Sequence, residues 1–407
     1  MSQLAIDGGT PVRTTPFPQR TPFDDREIEL TTEAIRSQNL FQWSGTKVKT
    51  FEEKFAALYG VRYAAASTSG TAAIHVAVGT IDPDPGDEII TAPITDLGSV
   101  TPILQQNAIP VFADVDETYN MDPEDTERKI TDRTRAIIVV HLFGNPANMD
   151  AFVNLSKRYT IPLIEDCSQA HMTTYKGKLL GTIGDIGCFS LQQSKHMTTG
   201  DGGMTITDNE AYYERMRFFV DKGFQRKGWG PRAYLFLAPN YRMNELTAAV
   251  GLAQLEKVQK VVEKRNTLGT RLTEWIQGIE GVVPAPVTKG GMHSYWAYPL
   301  RITMTTAEAF AQALTAEGVP CSAGYIGKPI YLCTEALTAK KTYGTSHCPF
   351  DCGRTSREIE YVEGMCPVTE DALNHMVTFS FNENYTMEDM EDIARAIRKV
   401  AQELRSG

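Results

Sequence analysis

The sequence predicts an α/β fold: a large domain whose mostly parallel sheet is sandwiched by helices, followed by a smaller C-terminal α+β domain. Two observations carry this. Short apolar runs bounded by turn residues fall at 88–92, 110–113, 136–142, 162–165, 187–191 and 204–207. They alternate with helical windows, as in βαβ units covered on both faces. Residues 245–277 then form the longest helical pattern, with Leu246, Val250, Ala253, Val258, Val262, Leu268, Leu272 and Ile276 on one face. A helix of that length can connect a large domain to a small one.

Taken in order, residues 1–25 are rich in Pro, Thr and Gly and read as an extended arm. Residues 26–265 are assigned to the large domain and 266–407 to the small one. A helix is expected from Asp24 to about Ser37, then a loop over 41–45. Val48, Phe51, Phe55, Leu58 and Tyr59 mark an amphipathic helix. Beyond residue 265 the pattern gives a strand over 294–302, a helix over 306–318 and a strand near 376–381. The last helix starts at Thr386 with the capping pattern Thr386-x-x-Asp389, and Met390, Ile393, Ile397, Val400 and Leu404 share a face.

Composition narrows the function class. The 407 residues suffice for two domains with substantial cores, and 42% hydrophobic with 22% charged residues is ordinary for a globular enzyme. A net charge of −10, with Lys and Arg scattered, argues against a nucleic-acid partner or a basic membrane face. No apolar stretch approaches the ~20 residues of a membrane helix, and residues 1–7 do not read as a signal peptide. Seven cysteines without regular spacing suggest free thiols in a reducing cytoplasm. His347, Cys348 and Cys352 could form half of a metal site, but no second half has ligand spacing, so no metal is expected. Without G-x-G-x-x-G after the first strand, a dinucleotide site is disfavoured.

The chemistry centres on Ile186-Gly187-Cys188-Phe189-Ser190-Leu191-Gln192-Gln193-Ser194-Lys195, followed by Thr199-Gly200-Asp201-Gly202-Gly203. A buried strand leads to a lysine, and the glycines after it let backbone approach a ligand. Lysine captures a carbonyl only once deprotonated, which partial burial favours. A solvated lysine in a turn is the competing reading, and this stretch alone would not displace it. Upstream, Ile161-Pro162-Leu163-Ile164-Glu165-Asp166 is a short strand ending in a carboxylate, placed to point into the crevice where open α/β sheets bind ligands. Pyridoxal 5'-phosphate needs such a pair: a lysine for its aldehyde and an acid that keeps its ring nitrogen protonated. Ser69, Gly70 and Thr71 open a helix whose free N–H groups and dipole suit a phosphate.

These residues, with Gly86-Asp87-Glu88-Ile89-Ile90, Gln169-Ala170-His171, Asn240-Tyr241-Arg242-Met243-Asn244-Glu245-Leu246 and Asn382-Glu383, resemble the DegT/DnrJ/EryC1/StrS family of sugar aminotransferases. The resemblance covers nearly the whole chain and implies the fold-type I aminotransferase architecture, with a seven-stranded-type sheet in the large domain. It implies that Lys195 holds the cofactor and moves a proton on it, and that Asp166 pairs with the ring nitrogen. Gln169 matches a position near the phenolic oxygen, and Ser190, Ser69, Gly70 and Thr71 match the phosphate site. Asn240 matches an asparagine that reaches the neighbouring subunit's phosphate, which implies a homodimer with shared active sites. Arg242 reads as a structural ion-pair partner.

The family usually stacks an aromatic ring on the pyridine at the position that is Asp96 here. Either the local alignment slips, or another side chain covers the ring, or Asp96 contacts the substrate. Met172 replaces the small residue common after Ala-His. His196 reads as a packed histidine; some relatives are dehydratases with histidine in place of the lysine, so Lys195 favours transamination. Phe41 and Trp43 read equally as loop packing or as substrate contacts. The stretch 293–298 and the trio Tyr325, Lys328 and Tyr331 are candidate sugar-binding edges, with a half-buried strand as the alternative for the first. The expectation is therefore a cytoplasmic pyridoxal-phosphate-dependent aminotransferase. It would take an amino donor, glutamate or glutamine, and a keto acceptor, either a ketosugar (often nucleotide-linked) or a ketocyclitol such as scyllo-inosose. A lyase or dehydratase on the same fold and a non-catalytic regulator are the alternatives.

Overall fold

The expected strands between residues 88 and 207 all form, close to their sequence bounds. The computed structural model describes residues 3–226, 231–351, 353, 355 and 357–406. In chain order the strands are β1 (Tyr63–Ser67), β2 (Glu88–Thr91), β3 (Ile109–Phe112), β4 (Thr134–Val140) and β5 (Leu163–Asp166). Next come β6 (Thr174–Tyr175), β7 (Lys178–Leu179), β8 (Ile186–Ser190) and β9 (Gly203–Thr207). Seven of them form one sheet in the order β1-β9-β8-β5-β4-β2-β3. The pairs β3–β2, β2–β4, β4–β5 and β5–β8 are parallel, whereas β9 runs antiparallel to β8 and β1.

Strand β1 was not expected, because Tyr63-Ala64-Ala65-Ala66-Ser67 is poor in strand-forming residues. Pairing with β9 overrides that weak preference. The small side chains instead serve packing. Ala64 and Ala66 face the cluster holding Phe55 and Tyr59 of the helix Lys47–Tyr59, and Ala65 faces Ala73 and Ala77 of the helix Gly70–Ile81.

The single helix read over 245–277 is two, Glu245–Leu255 and Val258–Ile276. The apolar spacing slips by one residue between Ala253 and Val258, and tertiary contacts fix the break there. Gln254 donates to the Pro22 carbonyl at 2.6 Å and to Glu27 at 2.7 Å, while Lys257 Nζ reaches Glu27 at 2.8 Å. The second helix gives Val258 and Val262 to the core under the large sheet, and Leu268, Leu272 and Ile276 to a second core.

That second core lies on a four-stranded sheet. Its members are β10 (Val282–Pro284), β12 (Tyr298–Ile302), β13 (Ser322–Ala323) and β14 (Met376–Phe379), in the order β10-β12-β14-β13, while the short β11 (Gly291–Met292) pairs with β6 in a separate sheet β11-β6-β7. Helices Ala307–Ala316 and Met387–Ser406 cover it through Phe310, Leu314, Ile393, Ile397 and Val400. The cap expected at Thr386 forms both ways: its N–H donates to Asp389 at 2.7 Å, and Asp389 N–H donates to its hydroxyl at 3.2 Å. Residues 330–351 and 357–366 return to the large sheet, where Tyr331, Leu337 and Tyr361 pack on Leu104 and Phe112.

The helix Lys47–Tyr59 has no side-chain cap of its own. The buried Glu245 carboxylate supplies one, accepting from the N–H groups of Thr46 at 2.8 Å, Lys47 at 2.6 Å and Val48 at 3.0 Å. A Cβ on Gly45 would lie 2.1 Å from that carboxyl carbon, so glycine there lets the acid in. Glu245→Ala strands three donors and is expected to cost about 2–3 kcal/mol, read by urea denaturation.

Candidate active site

Parallel pairing of β5 and β8 sets Asp166 beside Cys188, so the chain leaving each strand emerges at one edge of the sheet. Asp166 ends β5, buried at 4% exposure; it accepts from Ser99 Oγ at 2.8 Å and from Ser168 N–H at 3.0 Å. Beyond β8 the backbone turns at Gln192, whose carbonyl accepts from Lys195 N–H at 2.9 Å. The Lys195 ammonium nitrogen lies 4.1 Å from the Trp296 ring centre. Burial brings its pKa down to about 8, against the opposing pull of Asp166 and then Asp96. Both groups line one cavity of about 370 Å³.

The same cavity is lined by Ser69, Gly70, Thr71 and Ser190, the residues expected at the phosphate. Ser69 caps the helix Gly70–Ile81 by accepting from Ala72 N–H at 3.0 Å, leaving the N–H groups of Gly70 and Thr71 directed out of its first turn. A Cβ on Gly70 would lie 2.8 Å from Ser190 Oγ, so glycine keeps that hydroxyl and the helix end in one cradle. The donor set suits a dianion, and a lysine and an acid stand beyond it. The residues fit pyridoxal phosphate: Ser69, Gly70, Thr71 and Ser190 would hold its phosphate, Asp166 its ring nitrogen and Lys195 its aldehyde.

Gln169 also lines the cavity, with its carbonyl oxygen accepting from Phe143 N–H at 2.7 Å and its amide donating to Tyr325 OH at 3.1 Å. Asp96 lines it too, with Oδ1 accepting from Gly98 N–H at 2.7 Å. Asn240 does not line it. This residue is exposed on a loop bridging to Asp221, and its side-chain oxygen accepts from Arg242 N–H at 3.4 Å. Arg242 pairs with Asp221, the structural role expected of it.

Each candidate sugar-binding edge contributes one residue. From the first, Trp296 lines the cavity, whereas Tyr295 is buried and stacks on His293 at 3.9 Å. The strand expected from 294 starts only at Tyr298, because Ser294 and Trp296 donate their N–H groups to the Gly144 and Phe143 carbonyls beside the site. Of the second trio, Tyr325 lines the cavity; Lys328 is exposed outside it, and Tyr331 is core. Phe41 and Trp43 pack against Arg226, with Trp43 also on Arg217, away from the cavity.

His196 is buried and bonded to the Ser294 carbonyl at 2.9 Å; burial drives its pKa well below the ordinary value, so it is a neutral packing group. Ser99 was missed as the residue orienting Asp166; a serine shortly after a strand gives no signal of which acid it will meet. Buried His141, Glu165 and Cys167 lie close together. Glu165 accepts from the N–H groups of Gly181 at 2.8 Å and Ile183 at 2.8 Å, and His141 Nδ1 from Ala147 N–H at 3.1 Å, so hydrogen bonds explain the cluster. Cys352 lies outside the described residues.

The Lys195 environment has a pH consequence. Below about pH 8 the amine is protonated and cannot attack a carbonyl. The rate of pyridoxal-phosphate capture by cofactor-free protein should therefore rise with pH and level off above that midpoint. Stopped-flow absorbance across pH 6–10 checks it; a midpoint near 10.4, the value of a solvated lysine, would contradict the burial argument.

Known proteins similar to this chain identify its family. The model of the DegT/DnrJ/EryC1/StrS aminotransferase family matches residues 22–398. L-glutamine:2-deoxy-scyllo-inosose aminotransferase of Streptomyces paromomycinus is 32% identical over 424 residues, covering 98% of this chain and 97% of that protein. GDP-perosamine synthase of Escherichia coli O157:H7 is 37% identical over 267 residues, covering 65% of this chain and 71% of that one. The solved aminotransferase of Psychrobacter cryohalolentis superposes with a TM-score of 0.84 at 28% identity, covering 96% of this chain and 100% of that one. The family model and these relatives together show that the chain belongs to the DegT/DnrJ/EryC1/StrS aminotransferase family and is a pyridoxal-phosphate-dependent aminotransferase.

Proposed function

We propose that this enzyme moves an amino group from glutamine or glutamate to the keto carbon of a sugar or cyclitol, and that it works in the cytoplasm as a homodimer with shared sites. The observation that carries the reading is a half-buried lysine in one cavity with a buried carboxylate and a helix N-terminus. The cofactor, when bound, supplies the electron sink. Asp166 would face the ring nitrogen, oriented by the Ser99 hydroxyl and the Ser168 N–H. Lys195 Nζ accepts a proton from the substrate carbon and returns it nearby, and its lowered pKa makes both transfers accessible near neutrality. Trp296 covers one side of the amine and limits water.

The test incubates holoenzyme with α-amino-15N glutamine or 15N glutamate and keto acceptors, and follows label by mass spectrometry. Label in the product supports transfer. Retained cofactor with no label in any acceptor favours the lyase, and protein that holds no cofactor favours the regulator. For shared sites, Lys195→Ala chains are mixed with Asn240→Ala chains. Recovered activity supports a site completed by the neighbouring chain, because only a mixed dimer carries both intact groups in one site. No recovery in a verified mixed dimer opposes it. Among the described residues no helix is long and apolar enough to cross a membrane.

A further inference from the structure

We infer that Thr95 is a positioning residue for the reaction: with Ser99 it forms a two-hydroxyl relay that holds the Asp166 carboxylate in its working orientation. The inference rests on the reading of Asp166 as the partner of the ring nitrogen, and extends it to a residue that acts through another.

Counting protons fixes the direction of the relay. An ionised carboxylate only accepts, and a hydroxyl has one proton to donate. Ser99 Oγ lies 2.8 Å from Asp166 Oδ2, so its proton goes there. Thr95 Oγ1 lies 2.7 Å from Ser99 Oγ. Ser99 has no second proton to return, so Thr95 donates and Ser99 accepts. Asp166 Oδ1 accepts from Ser168 N–H at 3.0 Å. Both carboxylate oxygens are therefore held, and the group cannot turn without losing a donor.

The relay is also buried. Thr95 is 2% exposed and Ser99 1%, so bulk water cannot replace a missing donor. In such surroundings linked hydrogen bonds polarise one another, and a donor behind Ser99 strengthens its bond to Asp166. Thr95, Ser99, Asp166 and Ser168 all belong to one chain, so the relay needs nothing that a neighbouring chain adds to the cavity.

The turn between the two hydroxyls sets their spacing. Ser99 N–H donates to the Asp96 carbonyl at 3.0 Å, and the Asp96 side chain caps the short helical turn Leu97–Ser99 by accepting from Gly98 N–H at 2.7 Å. A Cβ on Gly98 would lie 2.7 Å from Thr71 Oγ1, so glycine lets the turn seat against the helix Gly70–Ile81. Before the turn, the Pro93 carbonyl accepts from Ile330 N–H at 2.9 Å, and Ile94 is fully buried. Asp96 stands where the family stacks an aromatic ring; here its side chain shapes the turn that carries Thr95 and Ser99.

The experiment titrates cofactor-free protein with pyridoxal phosphate, read by fluorescence, and measures kcat at saturating cofactor. The variants are Ser99→Ala, Thr95→Val and the two combined. Ser99→Ala removes a hydrogen bond to a charged group and should weaken cofactor binding about tenfold or more. Thr95→Val keeps the shape and removes only the far hydroxyl. It should weaken binding about three- to tenfold, with kcat falling and the KM for the amino donor unchanged. Thr95→Ser restores the hydroxyl and should recover most of the loss, and Thr95→Ala carries the same test where valine disturbs folding. The double variant should bind like Ser99→Ala alone, because a residue acting through Ser99 has nothing left to act on. Multiplied losses in the double variant would make Thr95 an independent packing residue, and parental binding and kcat in Thr95→Val would give it no role. Either result overturns the inference, while a loss of affinity in Asp166→Asn keeps the reading of Asp166 standing. Parental affinity in Asp166→Asn overturns both.

Discussion

Replacing Lys195 with alanine is expected to lower turnover by about 10²–10⁴, the range for loss of a positioned proton-transfer group. No other amine among the described residues lines the cavity. The histidines nearest in sequence offer no substitute: His196 is bonded to the Ser294 carbonyl at 2.9 Å, and His171 to the Ser190 carbonyl at 2.8 Å. Burial lowers His171 to about 4. Lys195→Ala should also lose the visible absorbance of lysine-held cofactor while keeping the parent's circular dichroism. Lys195→Arg should be as inactive, because guanidinium keeps its proton at any working pH. A Lys195→Ala enzyme retaining a tenth of parental kcat would show that another group moves the proton.

Asp166→Asn is expected to weaken cofactor binding by about 2–5 kcal/mol, the cost of removing one partner from a buried, hydrogen-bonded charge pair. Asparagine keeps nearly the same shape, so the Ser99 hydroxyl at 2.8 Å and the Ser168 N–H at 3.0 Å can still be partnered. What disappears is the negative charge that keeps the ring nitrogen protonated. Titration of cofactor-free protein with pyridoxal phosphate, read by fluorescence, checks the affinity. Turnover at saturating cofactor isolates the electronic effect. Asp166 also favours the Lys195 ammonium, so the capture midpoint of the asparagine variant should fall below about 8. Parental affinity and midpoint together would mean that the carboxylate faces something other than the ring nitrogen.

The parts of the fold that were readable in sequence were those where local pattern and packing agree. Buried parallel strands such as Thr134–Val140 are apolar along their length because both faces are covered. Asp24 and Thr386 announce their helices with side chains that do cap them. Strand β1 was hidden because its alanines are chosen for close helix packing. The break at Glu256 and Lys257 was hidden because its cause, Glu27, lies more than two hundred residues earlier. In the site, Lys195, Asp166 and the Ser69–Thr71 turn stood out by type and spacing. The contributions of Ser99, Trp296 and Tyr325 depend on loops whose convergence only the tertiary structure reveals.

Arg20 spans several parts of the molecule. From the extended arm it donates to the carbonyls of Lys195 at 2.6 Å and His196 at 2.8 Å, and pairs with Glu383, which also binds Arg265 at 2.9 Å. The arm is therefore a guy-line on the loop that bears the reactive amine, tensioned from the C-terminal half of the chain. Trimming the first twenty residues to tidy an expression plasmid would slacken that loop and change the chemistry before it changed the melting point.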